Sequence, residues 1–199
     1  MDFMSHELGH IFISFLVIMN PFTSVAYFLG ISKKFTDKEK ADAINHATEI
    51  AGITMLVFLV IGPVLLSILG VSISSFQVAG GIVLLVISIN FILGNLYDKK
   101  REVDVDASIM IIGVPLITGP GVLTTTMIMV AEYGYIPSLI AAIFAIVVVW
   151  LILKMSEPLR ILLGEKGMAI SSRIMGLLLA AIAVEFIKKG ILTIAASAL

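Results

Sequence analysis

Two short stretches of this chain combine a proline, small residues and hydroxyls inside long apolar runs: Asn20-Pro21-Phe22-Thr23-Ser24, and Thr118-Gly119-Pro120-Gly121 followed by Thr124, Thr125 and Thr126. Proline lacks an N–H and clashes with the preceding turn, so it kinks or ends a helix. It is favoured at the first position of a new one. Asn20 suits the N-cap before Pro21, and Thr118 or Gly119 can fill that place before Pro120. Helices restarting at Pro21 and Pro120 would present unpaired N–H donors and a partial positive charge of about +0.5. In hydrocarbon such donors survive only beside protein or a wet cavity. The chemistry on offer is anion capture, because a carboxylate satisfies donors and dipole together.

The candidate substrate-binding residues are therefore Asn20, Pro21, Phe22, Thr23 and Ser24 at the first break. At the second they are Thr118, Gly119, Pro120, Gly121, Thr124 and Thr125. The hydroxyls lie next to the freed backbone, and Gly119 and Gly121 let a small ligand approach it. No Lys or Arg lies near either break in sequence, so a zwitterion with a small side chain fits better than a phosphate. For one break alone, a simple kink whose hydroxyls bond back to their own carbonyls is the competing account. Two breaks at matching places in two halves point to a transporter-type site.

Two carboxylates fall within apolar segments and are ion-coupling candidates: Glu49, three residues after His46, and Glu185, ahead of Lys188 and Lys189. Each also has an ordinary account. Glu49 is near a segment end and can reach water, and Glu185 can pair with its lysines, which can snorkel outward. Gln77, Ser88 and Asn90 are expected to make interhelical hydrogen bonds. No metal site or cofactor is expected: the chain has no cysteine, and its three histidines, His6, His10 and His46, sit near segment ends. No Gly-x-x-x-x-Gly-Lys-Ser/Thr loop is present, so the chain is not expected to hydrolyse ATP. Enzymatic catalysis and nucleic-acid binding are not expected either.

The elements that must position these residues are membrane helices. Hydrophobic residues make up 59% of the 199-residue chain and charged ones 14%, with a mean hydropathy of +1.12. A soluble domain carries about 25% charged residues. Six stretches approach the roughly 20 apolar residues a bilayer requires: about 8–31, 44–69, 74–95, 108–131, 136–156 and 171–197. No basic residue precedes the first, so it is expected to remain as a helix and not to be removed as a signal peptide. Eleven of the 13 Lys and Arg residues lie in the loops after the first, third and fifth segments. This bias places those loops in the cytoplasm and both termini on the extracytoplasmic side of a multi-pass cell-membrane protein.

The halves correspond. Asn20-Pro21 aligns with Gly119-Pro120, 99 positions on, and Pro63 with Pro158, 95 on. Gly70 aligns with Gly164, and Ser75-Phe76-Gln77 and Gly80 with Ser171-Ser172-Arg173 and Gly176, 96 on. Three helices per half is an odd number, so the second half enters from the opposite face. The expected fold is an all-α integral membrane protein of six transmembrane helices, built as two inverted three-helix repeats, 1–98 and 99–199. Helices 1 and 4 are broken near mid-membrane. Gly80, Gly81, Gly176, Ala180 and Ala183 allow close contact of helices 3 and 6, between repeats or in a homo-oligomer.

At these residues the chain resembles the MarC-type membrane proteins, also called the small neutral amino acid transporter family. The marks are Met19-Asn20-Pro21, Gln77-Val78-Ala79-Gly80-Gly81, Pro115-Leu116-Ile117-Thr118-Gly119-Pro120-Gly121 and Arg173-Ile174-Met175-Gly176-Leu177. The resemblance covers essentially the whole chain. It implies six helices and a substrate such as glycine, alanine or serine. In two places the chain departs from the family's habit: Ala26 stands where a second proline is frequent, and Glu185 where glutamine is.

The function expected from residues and resemblance together is secondary active transport of small neutral amino acids by alternating access. The substrate carboxylate would be held at the half-helix N-termini after Pro21 and Pro120, with coupling to protons or sodium. The alternative is a channel or a non-transporting membrane partner subunit.

Overall fold

A computed structural model describes residues 2–94, 117 and 119–197. The described residues form helices and short connections. The first apolar segment yields α1 (Asp2–Met19) and α2 (Pro21–Ile31), separated by Asn20 alone. A single 3-10 turn, Ser32–Lys34, leads to α3 (Asp37–Ile68). Thr36 and Glu39 start α3 with a capping box: Thr36 Oγ1 accepts from Glu39 N–H at 3.3 Å, and a Glu39 carboxylate oxygen accepts from Thr36 N–H at 2.7 Å. Then follow α4 (Ile73–Leu93), α5 (Pro120–Tyr133), α6 (Tyr135–Lys154) and α7 (Ser156–Ser197). Ser72 caps α4 by accepting from Ser75 N–H at 3.1 Å. Within α7, Gly164 takes a non-helical conformation (φ 66°, ψ 171°) that breaks the element in two.

Among the described residues five spans are long and apolar enough to cross a membrane: Glu7–Lys34, Asp37–Ile68, Ile73–Leu93, Tyr135–Lys154 and Lys166–Ser197. The expected fourth segment, 108–131, is described only at 117 and from 119 onward, and the joining segment Asn95–Asp106 lies outside the described residues. Two boundaries differ from expectation. Helix α3 begins at Asp37 and not near 44, because the capping box supports polar turns that apolar content does not detect. The last helix reaches back to Ser156, ahead of the expected 171, with its break at Gly164.

The broken first span is the centre of the molecule. It is 67% buried, against 28–33% for the other four. Its buried side chains include Ile11, Phe15, Val17, Ile18 and Met19 of α1 and Val25 and Phe28 of α2. Around it, α1 packs on α6, α2 on α7, α3 on both α5 and α6, and α4 on α5 and α7. Outward-facing Ile53, Val60, Val64, Ile82, Phe144 and Leu177 are each more than half exposed or nearly so, as lipid-facing residues should be.

The most extensive contact is between α4 and α7, and it depends on glycine. A Cβ on Gly81 would lie 2.8 Å from Ala183 O and 3.1 Å from Ile187 N. One on Gly190 would lie 2.7 Å from Ser74 O, and one on Gly176 3.2 Å from Ile92 N. Backbones this close exclude even a methyl group. Numbers fall along α7 as they rise along α4, so the two helices run antiparallel. Helices α3 and α6 do the same: Asn45 meets Trp150 and Gly52 faces Ile146, while Lys40 meets Glu157 just past α6, at the start of α7.

Candidate functional site

Asn20 is in the middle of the first span and is the sole non-glycine residue with positive φ among the described residues (φ 41°, ψ 69°). Asparagine tolerates this left-handed conformation because its short side chain can bond locally. Its N–H donates to the Leu16 and Val17 carbonyls, both at 3.2 Å, closing α1. Its own carbonyl accepts from Thr23 N–H at 3.1 Å and Ser24 N–H at 3.2 Å, opening α2. Its Oδ1 caps α2 by accepting from Thr23 N–H at 3.3 Å. The expected N-cap and restart at Pro21 are thus present, as a break one residue wide. The residue is 1% exposed, and among the described residues its Nδ2 has no hydrogen-bond partner. A buried amide donor left unpaired costs about 1–3 kcal/mol.

The second break differs in form. Gly119 is extended (φ −60°, ψ 175°), Pro120 opens α5, and no side chain among the described residues caps the helix. Val122 and Leu123 N–H groups donate to Gly119 O at 2.9 and 3.2 Å. Thr118 lies outside the described residues. Thr124, Thr125 and Thr126 each donate their hydroxyl to the carbonyl four residues earlier, on Pro120, Gly121 and Val122, at 2.8–2.9 Å. Their hydrogens are spent on their own helix, so toward a ligand they offer only oxygen lone pairs. The Ser24 hydroxyl similarly donates to Asn20 O at 3.4 Å. Pro21, Thr23 and Ser24 are buried and Phe22 is half-buried.

Tertiary structure brings the breaks together. A Cβ on Gly121 would lie 3.6 Å from Ile18, two residues before Asn20, and 2.6 Å from Leu84 of α4. Each break also leans on the last helix of the other half. The Thr23 hydroxyl is hydrogen-bonded to the Ser172 hydroxyl of α7, and Ser172 is fully buried. Thr124 packs so closely on Gly80 of α4 that no side chain fits there.

Three partners escaped the sequence reading. Ser172 entered it only as part of the repeat alignment, and Ile18 is an apolar residue with no signal of its own. Glu132, at the end of α5, accepts from Gln77 Nε2 at 2.9 Å and from Lys189 Nζ at 3.3 Å, tying α5 to α4 and α7. Its place directly after the apolar segment 108–131 was the available signal. Lys189 therefore serves Glu132, while Glu185 pairs with Lys188 at 2.5 Å. Of the three expected interhelical polar residues, only Gln77 crosses between helices among the described residues. Ser88 and Asn90 donate within α4, to Leu85 O at 2.7 Å and Val86 O at 3.0 Å. Glu49 is exposed on α3, in a groove against α6 and away from both breaks. Among the described residues there is no cluster of His, Asp or Glu that could hold a metal ion.

A family model described as MarC family integral membrane protein matches residues 5–195. The chain belongs to the MarC family. Similar family members include a UPF0056 membrane protein of Archaeoglobus fulgidus, 31% identical over 90% of each chain. Another from Methanocaldococcus jannaschii is 33% identical, covering 90% of this chain and 93% of its own. The UPF0056 membrane protein YhcE of Escherichia coli is 30% identical, covering 90% and 89%. No solved structure matches this MarC-family protein. Family membership and the five apolar spans make it a multi-pass integral membrane protein.

Proposed function

We propose that this MarC-family protein is a secondary transporter of small neutral amino acids working by alternating access. The observation that carries the proposal is Asn20: a buried, left-handed helix break with an amide donor that has no partner among the described residues, close to the start of α5. The substrate carboxylate accepts from Asn20 Nδ2 and from the N-terminal turn of α5. Its ammonium group donates to hydroxyl oxygens such as those of Thr124 and Thr125. Gly80 and Gly121 are packed against Thr124 and Leu84, so a substrate enters only as these contacts part, which favours a small side chain. Transport is coupled to protons or sodium.

Alternating access rests on an inverted duplication, and the helix packing supports one. Gly176 meets Phe91, and Gly81, one residue past Gly176's mate Gly80, meets Phe91's mate Ile187. Gly70 and Gly164, also mates, share the same left-handed φ of 65° and 66°. Exchanging the halves turns the α2–α7 contact into the α5–α4 contact, and both occur. The self-paired helices α3–α6 and α4–α7 run antiparallel, as inversion demands. Two halves of this kind can exchange conformations about a shared site. The positive-inside bias places both termini on the extracytoplasmic side.

Uptake of labelled glycine and alanine into proteoliposomes, with and without an imposed proton or sodium gradient, tests the proposal. Saturable uptake that follows one gradient supports it and names the ion. Flux absent for all small amino acids, from folded and inserted protein, refutes the substrate class. Linear, non-saturable flux refutes the carrier mechanism in favour of a channel.

A further inference from the structure

Away from the breaks, antiparallel α3 and α6 border an open groove of about 530 Å³ beside Gly52. Its floor and walls are apolar: Gly52, Ile53, Leu56, Ile143, Ile146 and Val147. Ile53, Ile143 and Val147 are about half exposed, so the groove faces the lipid side of the molecule. From Asn45 to Leu56 it runs about 16 Å at 1.5 Å per residue, a length suited to an acyl chain.

The polar groups gather at one end. Trp150 Nε1 donates to Asn45 Oδ1 at 2.9 Å, and this end carries Glu49 and Thr48 as well. Lys154 Nζ lies 4.3 Å above the Trp150 ring. Side chains on a helix lean toward its N-terminus. Because the two helices are antiparallel, Glu49 leans outward from α3 and Lys154 leans inward from α6, both toward the Trp150 level. Yet among the described residues Glu49 and Lys154 make no ion pair with each other or with any other group. A carboxylate in the groove and an ammonium over the Trp150 ring that borders it, joined by no ion pair among the described residues, complement a zwitterionic lipid headgroup.

We propose that this groove binds one aminophospholipid of the phosphatidylethanolamine class. The lipid's primary ammonium donates to Glu49, its phosphate pairs with Lys154, and one acyl chain lies over Gly52 between Ile53 and Val147. A primary ammonium is specified because Glu49 can accept its N–H hydrogen bonds, whereas a trimethylammonium has none to give. The site shares no residue with the two breaks, so lipid retention is read separately from binding of the amino acid, although Glu49 is also an ion-coupling candidate.

The test is native mass spectrometry of the full chain released from nanodiscs holding equal amounts of phosphatidylethanolamine, phosphatidylcholine and phosphatidylglycerol. The expected result is one retained phosphatidylethanolamine per chain, preferred about tenfold over the other two, as a charge-assisted hydrogen bond allows. Glu49→Gln should erase the preference over phosphatidylcholine while leaving thermal stability unchanged, since Glu49 is exposed and unpaired. Val147→Trp, on an exposed wall, should fill the trough and abolish retention of every lipid. Equal retention of all three lipids by the wild type would overturn the headgroup assignment. So would an undiminished preference in Glu49→Gln. A dimer in the wild type that Val147→Trp dissolves would show that a second copy, and not a lipid, occupies the groove.

Discussion

Three substitutions at Asn20 separate its backbone role from its proposed contact with substrate. Asn20→Gly keeps the positive φ, which glycine adopts freely, and gives up the side-chain cap on Thr23. A cap changed to glycine costs only a few tenths of a kcal/mol, so this variant should fold as the wild type does. It loses Nδ2, however. A hydrogen bond from a neutral donor to a carboxylate is worth about 1.5–3 kcal/mol, which is about 10- to 150-fold in KM for uptake. Asn20→Ala loses the same donor and adds left-handed strain. Cap loss of about 1 kcal/mol and strain of about 1–2 kcal/mol should lower its thermal midpoint as well. Asn20→Asp keeps the cap but sets a carboxylate against the substrate's own, so uptake should vanish. The assays are initial-rate uptake in proteoliposomes and thermal unfolding in detergent. A KM for Asn20→Gly within twofold of wild type would refute Nδ2 as a substrate ligand. The unpaired donor would then be a structural cost of the break alone.

Glycine substitutions should divide by surroundings. Gly81→Ala pushes a methyl group into the α7 backbone and should destabilise by about 1–3 kcal/mol, whereas Gly30→Ala has nothing within 4 Å and should be neutral or slightly stabilising in the same melts. Gly80→Ala collides with the Thr124 methyl, so adding Thr124→Ser, which removes that methyl, should recover part of the lost stability. Removing Glu132 strands Lys189 and Gln77 between helices, and a Glu132→Gln, Lys189→Met double-mutant cycle should show a coupling of about 0.5–3 kcal/mol. Glu157, at the start of α7, is held below its ordinary value of 4.5 chiefly by the hydrogen bond from Lys40. The stabilisation from that contact is therefore complete above the ordinary value and is lost as pH falls through the lowered one. Acid melts should show a small step, no more than about 1 kcal/mol for so exposed a pair, which Glu157→Gln abolishes.

Composition alone required a membrane protein, because so few charges cannot cover a water-facing surface. Proline chemistry located both helix starts: Pro21 and Pro120 open α2 and α5, and Asn20 caps the first as its residue type demands. The small residues Gly80, Gly81, Gly176, Ala180 and Ala183 pointed to close helix contact, and the fold places it between α4 and α7. These features are local or periodic, so a one-dimensional string can carry them. The capped, polar first turns of α3 and the early start of α7 were missed, since apolar content marks the hydrocarbon and not the helix. The partners across the fold were beyond it altogether. Which serine meets Thr23, which carboxylate holds Lys189, and whether threonine hydroxyls turn outward or back to their own carbonyls depend on helix rotation and register. Those are settled by how all the helices pack at once, with close glycine contacts fixing the register that spacing along the chain leaves open.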